Sequence, residues 1–114
     1  DTFGVDLVLQ AHNHNYQRTY PITFNNPSPS SPIVSDKQIH NFNNPKAPIF
    51  VTIGTGGAPL YNFSSQAPYV ISQVAQYGFL NVDIEKFQNG DNLTGTFYKN
   101  NNLTKLDYFT ITKR

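Results

Sequence analysis

The sequence predicts a small, strand-rich globular unit, and it does so through three observations. Its last third alternates apolar and polar residues with a period of two; all its aromatics are Tyr and Phe; and its apolar runs are short and punctuated by Gly, Pro and Asn. With 114 residues, 38% hydrophobic and 14% aromatic, the chain can build one core but not two.

Taken in order, Val5 to Gln10 reads as a short, largely buried strand, with Val5, Leu7 and Leu9 on one face and Val8 on the other. Residues 22–48 change character: "NNPSPSSP" and "NFNNPKAP" are Pro, Asn and Ser clusters unsuited to holding a ladder, and predict one long surface excursion. Ile49 to Ile53 predicts a second buried strand, stopped by Gly54, Gly56 and Gly57. Residues 64–76 leave two readings open, a short helix through Val74 with Pro68 near its first turn, or irregular chain. From Tyr77 onward, residues 77–114 predict an antiparallel meander of three strands. Leu80, Val82 and Ile84 share a face, "QNGDN" and "NNN" turn the chain, and Phe109 and Ile111 share a face of the last strand.

Several classes are excluded or disfavoured by composition. Lys and Arg total 8 against 7 for Asp and Glu, and they are dispersed, so no nucleic-acid-binding patch is expected. No apolar run approaches the length of a membrane span. Without cysteine, any metal must be held by His, carboxylate, amide or backbone groups. The chain starts at Asp1 and contains no Met, which predicts a piece of a longer polypeptide. Sequons at Asn62, Asn92 and Asn102 are compatible with a secreted or cell-surface protein.

The chemistry-bearing stretch is "VDLVLQAHNHNYQRTYP", where two of the three histidines, His12 and His14, follow the first strand. In extended chain, residues i and i+2 point to one side, so both imidazoles can face one small volume, at the carboxyl end of a strand where open α/β sheets bind ligands. Neutral imidazoles suit Zn, Mn or Fe. Spacing alone leaves a second reading open, two solvated or hydrogen-bonded loop side chains. The literal string "HNH" carries no weight, because the nuclease motif of that name draws on separated positions.

The order of these pieces is more informative. A strand, "AHNHNYQRTYP", then "PIFVTIGTGGAPLY", then a terminal hairpin ending "LDYFTITK" resembles the C-terminal part of the calcineurin-like metallophosphoesterases, within them the purple acid phosphatase branch. The corresponding family motif is Gly-His-x-His followed by an aromatic, Glu, Arg and Thr. The resemblance implies an α/β (α+β) fold, residues 1–114 being the C-terminal portion of a four-layer α/β/β/α sandwich, mostly β in this stretch. It also implies that His12 and His14 each hold one ion of a binuclear Fe, Zn or Mn centre. Such ions, about 3.5–4 Å apart, clamp a phosphoryl group beside the attacking hydroxide. Ala11 stands where the family has Gly, and Gln17 where it has Glu. The family's remaining ligands, an Asp-x-His, a Gly-Asp-x-x-Asp, an Asn-His-Asp/Glu and a further His, are not found here; Asp1 and Asp6 do not replace them.

Other residues carry two readings each. Arg18 either meets a substrate phosphate or anchors the histidine loop through a salt bridge. Tyr16 and Tyr20 pack or line substrate, and Asn13 and Asn15 serve the turn. Gly56 and Gly57, with Gly54, form a tight turn or a pocket wall whose N–H groups approach an anion. His40, with no partner at ligand spacing, is expected to be solvated. The function so implied is metal-dependent hydrolysis of a small or polymeric phosphate ester. It needs the upstream half of the same catalytic domain, and this chain is expected to be inactive alone. The rival is a noncatalytic extracellular β-rich binding module.

Overall fold

The computed structural model describes residues 3–114, so Asp1 lies outside the described residues. It contains ten strands: β1 Leu7–Gln10, β2 Tyr16–Thr19, β3 Ile22–Thr23, β4 Ile33–Val34, β5 Asn41–Asn43, β6 Ile49–Ile53, β7 Val70–Val74, β8 Gly78–Phe87, β9 Gly90–Lys99 and β10 Lys105–Lys113. No helix occurs among the described residues. Of the expected sandwich, then, only β structure lies in this chain.

One mixed sheet has the order β1-β6-β2-β7, with β1 and β6 parallel and the other pairings antiparallel. A second has the order β5-β10-β9-β8, where β8, β9 and β10 form the antiparallel meander and β5 joins β10 in parallel. β3 and β4 form a separate small hairpin. The two large sheets face each other across one core of Tyr16, Phe42, Ile49, Val51, Phe97, Phe109 and Ile111. The period-two alternation is the cause: Ile49 and Val51 point inward from β6, with Phe50 and Thr52 on its other face, and Phe109 and Ile111 point inward from β10, with Tyr108 and Thr110 on its other face. Each such large side chain contributes about 1.5–3 kcal/mol by leaving water.

Two local irregularities shape this core. Lys105 pairs with Tyr98 and Asp107 with Phe97, so Leu106 is an extra residue, a bulge on β10. Leu106 and Asp107 both turn inward while Lys105 stays exposed. Opposite Phe109 on β9 sits Gly95, where a Cβ would meet the Phe109 ring at 2.4 Å; the missing side chain is the space the ring fills.

The structure corrects several expectations. β1 is not a buried strand: as the edge of its sheet it has one neighbour, and Val5 and Leu9 are half exposed. The 22–48 excursion holds three short strands, and its Phe42 is wholly buried. The backbone of β5 finds its partners on the edge of β10, which a reading of local composition cannot reveal. The 64–76 segment is neither helical nor irregular throughout, since Val70–Val74 pairs with β2. There, β-branched Val and Ile meet an available sheet edge, and pairing outweighs the weak helix signal. Leu80, Val82 and Ile84 alternate along the edge strand β8 as expected, with Ile84 exposed towards its end.

Candidate metal-binding site

β1 and β6 run parallel, so the loops leaving their carboxyl ends emerge side by side. One is the histidine loop 11–15 and the other is "GTGGAPLY", residues 54–61. They are locked together. The Gly54 N–H donates to the Asn15 carbonyl at 3.0 Å, and the Tyr61 N–H donates to the His14 carbonyl at 2.8 Å. Gly54 lies so close that a Cβ there would fall 1.9 Å from the Asn13 carbonyl oxygen. Only glycine permits that approach.

The same loop orients His14. Its Nδ1 lies 3.0 Å from the Pro59 carbonyl, and its ring stacks on Tyr61 with centroids 4.4 Å apart. A carbonyl only accepts, so Nδ1 carries the proton and the Nε2 lone pair is left free. His12 is exposed, with φ of 102°, a region that side-chain-bearing residues rarely occupy. Positive φ therefore falls on His12 and not on Ala11, so alanine in place of the family's Gly carries no left-handed backbone strain.

Immediately after this loop the chain turns inward. Arg18 is fully buried, yet none of its polar atoms lacks a partner. Nε donates to Asp107 Oδ2 at 2.6 Å, Nη2 to Asp107 Oδ1 at 2.9 Å, and Nη1 to the Ile39 carbonyl at 2.8 Å. Tyr16 donates its hydroxyl to the same Asp107 Oδ2 at 2.5 Å, and its ring stacks on Phe97. Burial, and then the Asp107 carboxylate, push the Tyr16 phenol far above its ordinary range, so it stays protonated. In this geometry Tyr16 and Arg18 hold the two sheets together beneath the histidine loop, facing away from solvent.

The other singled-out residues scatter. Asn13 is exposed, its carbonyl accepting the Asn15 N–H at 2.9 Å. Gly57, with φ of 146°, lines a surface cavity of about 600 Å³ together with Tyr77, Lys99 and Asn100; Gly56 faces open space. His40 is not simply solvated: its Nδ1 sits 2.7 Å from the Tyr108 carbonyl and its ring stacks on Tyr108 at 3.9 Å, which pins β5 to β10. Sequence reasoning missed Asp107, Pro59 and Tyr61. The period-two face of β10 carries a signal for Asp107, because it shares parity with Phe109 and Ile111; nothing local marks Pro59 or Tyr61. Among the described residues, no group of three or more His, Cys, Asp or Glu side chains comes together.

Comparison with known proteins places this geometry. The chain is 32% identical, over 110 residues, to a protein of Arabidopsis thaliana named probable inactive purple acid phosphatase 27. The structure matches that of purple acid phosphatase PPD1 from yellow lupin (Lupinus luteus) seeds with a TM-score of 0.77 and 31% identity. In sequence and fold the chain is similar to a C-terminal piece of a purple acid phosphatase. Each match covers 96% of this chain, which spans 16% of the Arabidopsis protein and 18% of the lupin one. No family model matches. In this purple acid phosphatase-like piece the donor chemistry fits a metal centre: two imidazoles on one loop, one of them oriented by a carbonyl with its outer nitrogen free.

Proposed function

We propose that this chain is the part of a binuclear metal-dependent phosphoesterase that supplies the ligands His12 and His14, the parent hydrolysing a phosphate ester. The observation carrying this reading is His14, fixed between the Pro59 carbonyl and the Tyr61 ring with Nε2 left open, on the same loop as His12. When bound, Fe, Zn or Mn ions would supply Lewis-acid charge for the phosphate and activate water. This chain's own residues orient: Pro59 sets the His14 tautomer, Gly54 seats the loop, and Arg18 with Asp107 anchors the strand behind it. Gly57 belongs to the same reading as a wall near substrate, Gly56 as its neighbour in the turn, and Asn13 as a turn residue between the ligands. The half-exposed apolar strand β1, with an open edge, supports an upstream half of the domain as partner.

The test is a polypeptide that carries this chain together with that upstream half. His12→Ala and His14→Ala should each lower hydrolysis of an aryl phosphate at least about tenfold and reduce bound metal; full activity and full metal content in both variants would reject the assignment. Alone, this chain should bind metal weakly, because two imidazoles make an incomplete site.

A second reading, a noncatalytic β-rich binding module, is favoured by one observation. The Arabidopsis relative is named probable inactive, and here Ala11 and Gln17 replace the Gly and Glu of the family pattern. It predicts no hydrolysis by the longer polypeptide at any metal loading. Under either reading we place the protein outside the cell or at its surface. No described helix is long and apolar enough to cross a membrane, and the sequon residues Asn62 and Asn102 are exposed. Protein found only inside the host's cells, with a mass unchanged by glycosidase, would count against that placement.

A further inference from the structure

The outer face of the first sheet, opposite the core, carries a row of neutral polar side chains that the histidine site does not use. Register aligns Gln10 of β1 with Thr52 of β6, Thr52 with Gln17 of β2, and Gln17 with Gln73 of β7. One amide or hydroxyl per strand thus crosses all four strands in a line. Segment 65–69 folds over the row as a wall, held by Gln73 Nε2 donating to the Ser65 carbonyl at 3.0 Å and Gln66 Nε2 donating to the Val70 carbonyl at 2.8 Å. Between row and wall lies a pocket of about 300 Å³, with Phe50 and Tyr69 also on its lining.

We propose that this pocket binds a single neutral sugar ring. Three properties select that ligand. No Asp, Glu, Lys, Arg or His lines it, so an ion entering would lose hydration without gaining a countercharge. Gln17 makes it so, since the Glu of the family pattern would place a carboxylate in the middle of the row. The bonds within the row are long, Gln10 to Thr52 at 3.3 Å and Gln73 to Gln17 at 3.4 Å, and so is the bond from Gln17 to Asn15 beside the row, at 3.3 Å. Usual N–H···O bonds span about 2.7–3.2 Å, so these amides stand to gain from ligand hydroxyls that approach closer. Each Gln offers donors and an acceptor, the complement of adjacent sugar hydroxyls, while Phe50 and Tyr69 offer apolar surface to the C–H face of a ring. The volume lies at the small end of ligand pockets, suiting one ring and not a chain of them.

The experiment titrates the full chain, 15N-labelled, with the methyl glycosides of glucose, galactose, mannose and N-acetylglucosamine, following the side-chain amide signals of Gln10, Gln17 and Gln73. At least one glycoside should give saturable shifts of these signals. Gln73→Ala should weaken that binding about five- to tenfold, the loss of one hydrogen bond, and Ser30→Ala, on an exposed distant loop, should leave it unchanged. If Gln73→Ala loses its folded backbone spectrum, Gln17→Asn, which keeps the amide and shortens its reach, takes its place with the same expected weakening. Absence of saturable shifts with all four glycosides overturns the proposal. So does binding unaffected in the folded variant, or a stronger response to inorganic phosphate than to any glycoside.

Discussion

Residues 11–15 and residues 16–19 are adjacent in sequence and opposite in design. In the strand, Tyr16 and Arg18 are buried and their polar groups are satisfied around Asp107. In the loop, His12 is exposed in an unfavourable backbone region, and His14 is turned so that one ring nitrogen is left open. The difference teaches how a short stretch can be stable and reactive at once. Saturated side chains hold the frame, and the unsatisfied ones project from it, over a glycine that lets a second loop close in.

The contrast breaks most severely if the frame loses one charge. Arg18→Met or Asp107→Leu should each cost about 3–5 kcal/mol, because the remaining partner is left as an uncompensated buried charge. The double variant should recover much of that loss, since an apolar pair of similar size has no charge to strand. Urea unfolding of the three variants measures both effects, and single variants with losses below about 1 kcal/mol would remove Asp107 from the frame.

Tyr16→Phe tests the same node more gently. At neutral pH it should cost about 1.5–3 kcal/mol, the value of a hydrogen bond to a charged acceptor. The phenol's ordinary value is 10.0 and the folded value lies above it, so above pH 10 only the unfolded chain releases this proton. Stability from Tyr16 is therefore complete below about pH 10 and is lost as pH rises past it, by up to about 1.4 kcal/mol per unit. The advantage of the wild type over Tyr16→Phe should shrink on alkaline titration; a constant difference would contradict the buried, protonated phenol.

Gly54→Ala sharpens the contrast from the loop side. Its Cβ collides with the Asn13 carbonyl, so one loop must move, at about 1–3 kcal/mol. The His14 and Tyr61 ring signals should shift with it in an NMR spectrum, while those of Phe97 stay in place. Unchanged His14 and Tyr61 signals would mean that the two loops are not coupled through this contact.

Much of the frame can be read from local pattern. The strand at Ile49 to Ile53 and the terminal meander follow from alternation and turn residues, because both are set by neighbours along the chain. Phe42 is different. It lies among Asn and Pro, and its burial depends on β10, whose Thr110 pairs with Asn41 from far along the sequence. The same holds for Val70–Val74, which is a strand because the edge of β2 accepts it. At the candidate site, the His-x-His spacing draws attention to loop 11–15, whereas Pro59 and Tyr61 approach that loop only through the fold. Arg18 left two readings in sequence, and the side-chain partner that distinguishes them lies 89 positions away at Asp107.

The extra residue on β10 has an evolutionary consequence. Under strict alternation Lys105 and Asp107 would share a side, and an ammonium would be driven into the interior beside a guanidinium that already needs the acid to itself. Leu106 breaks the count, so the lysine remains outdoors while the aspartate goes in. Regular pairing that kept Leu106 would turn both charges to the inner face, whereas deleting Leu106 would leave Lys105 outside and Asp107 inside and remove only the apolar side chain of the bulge.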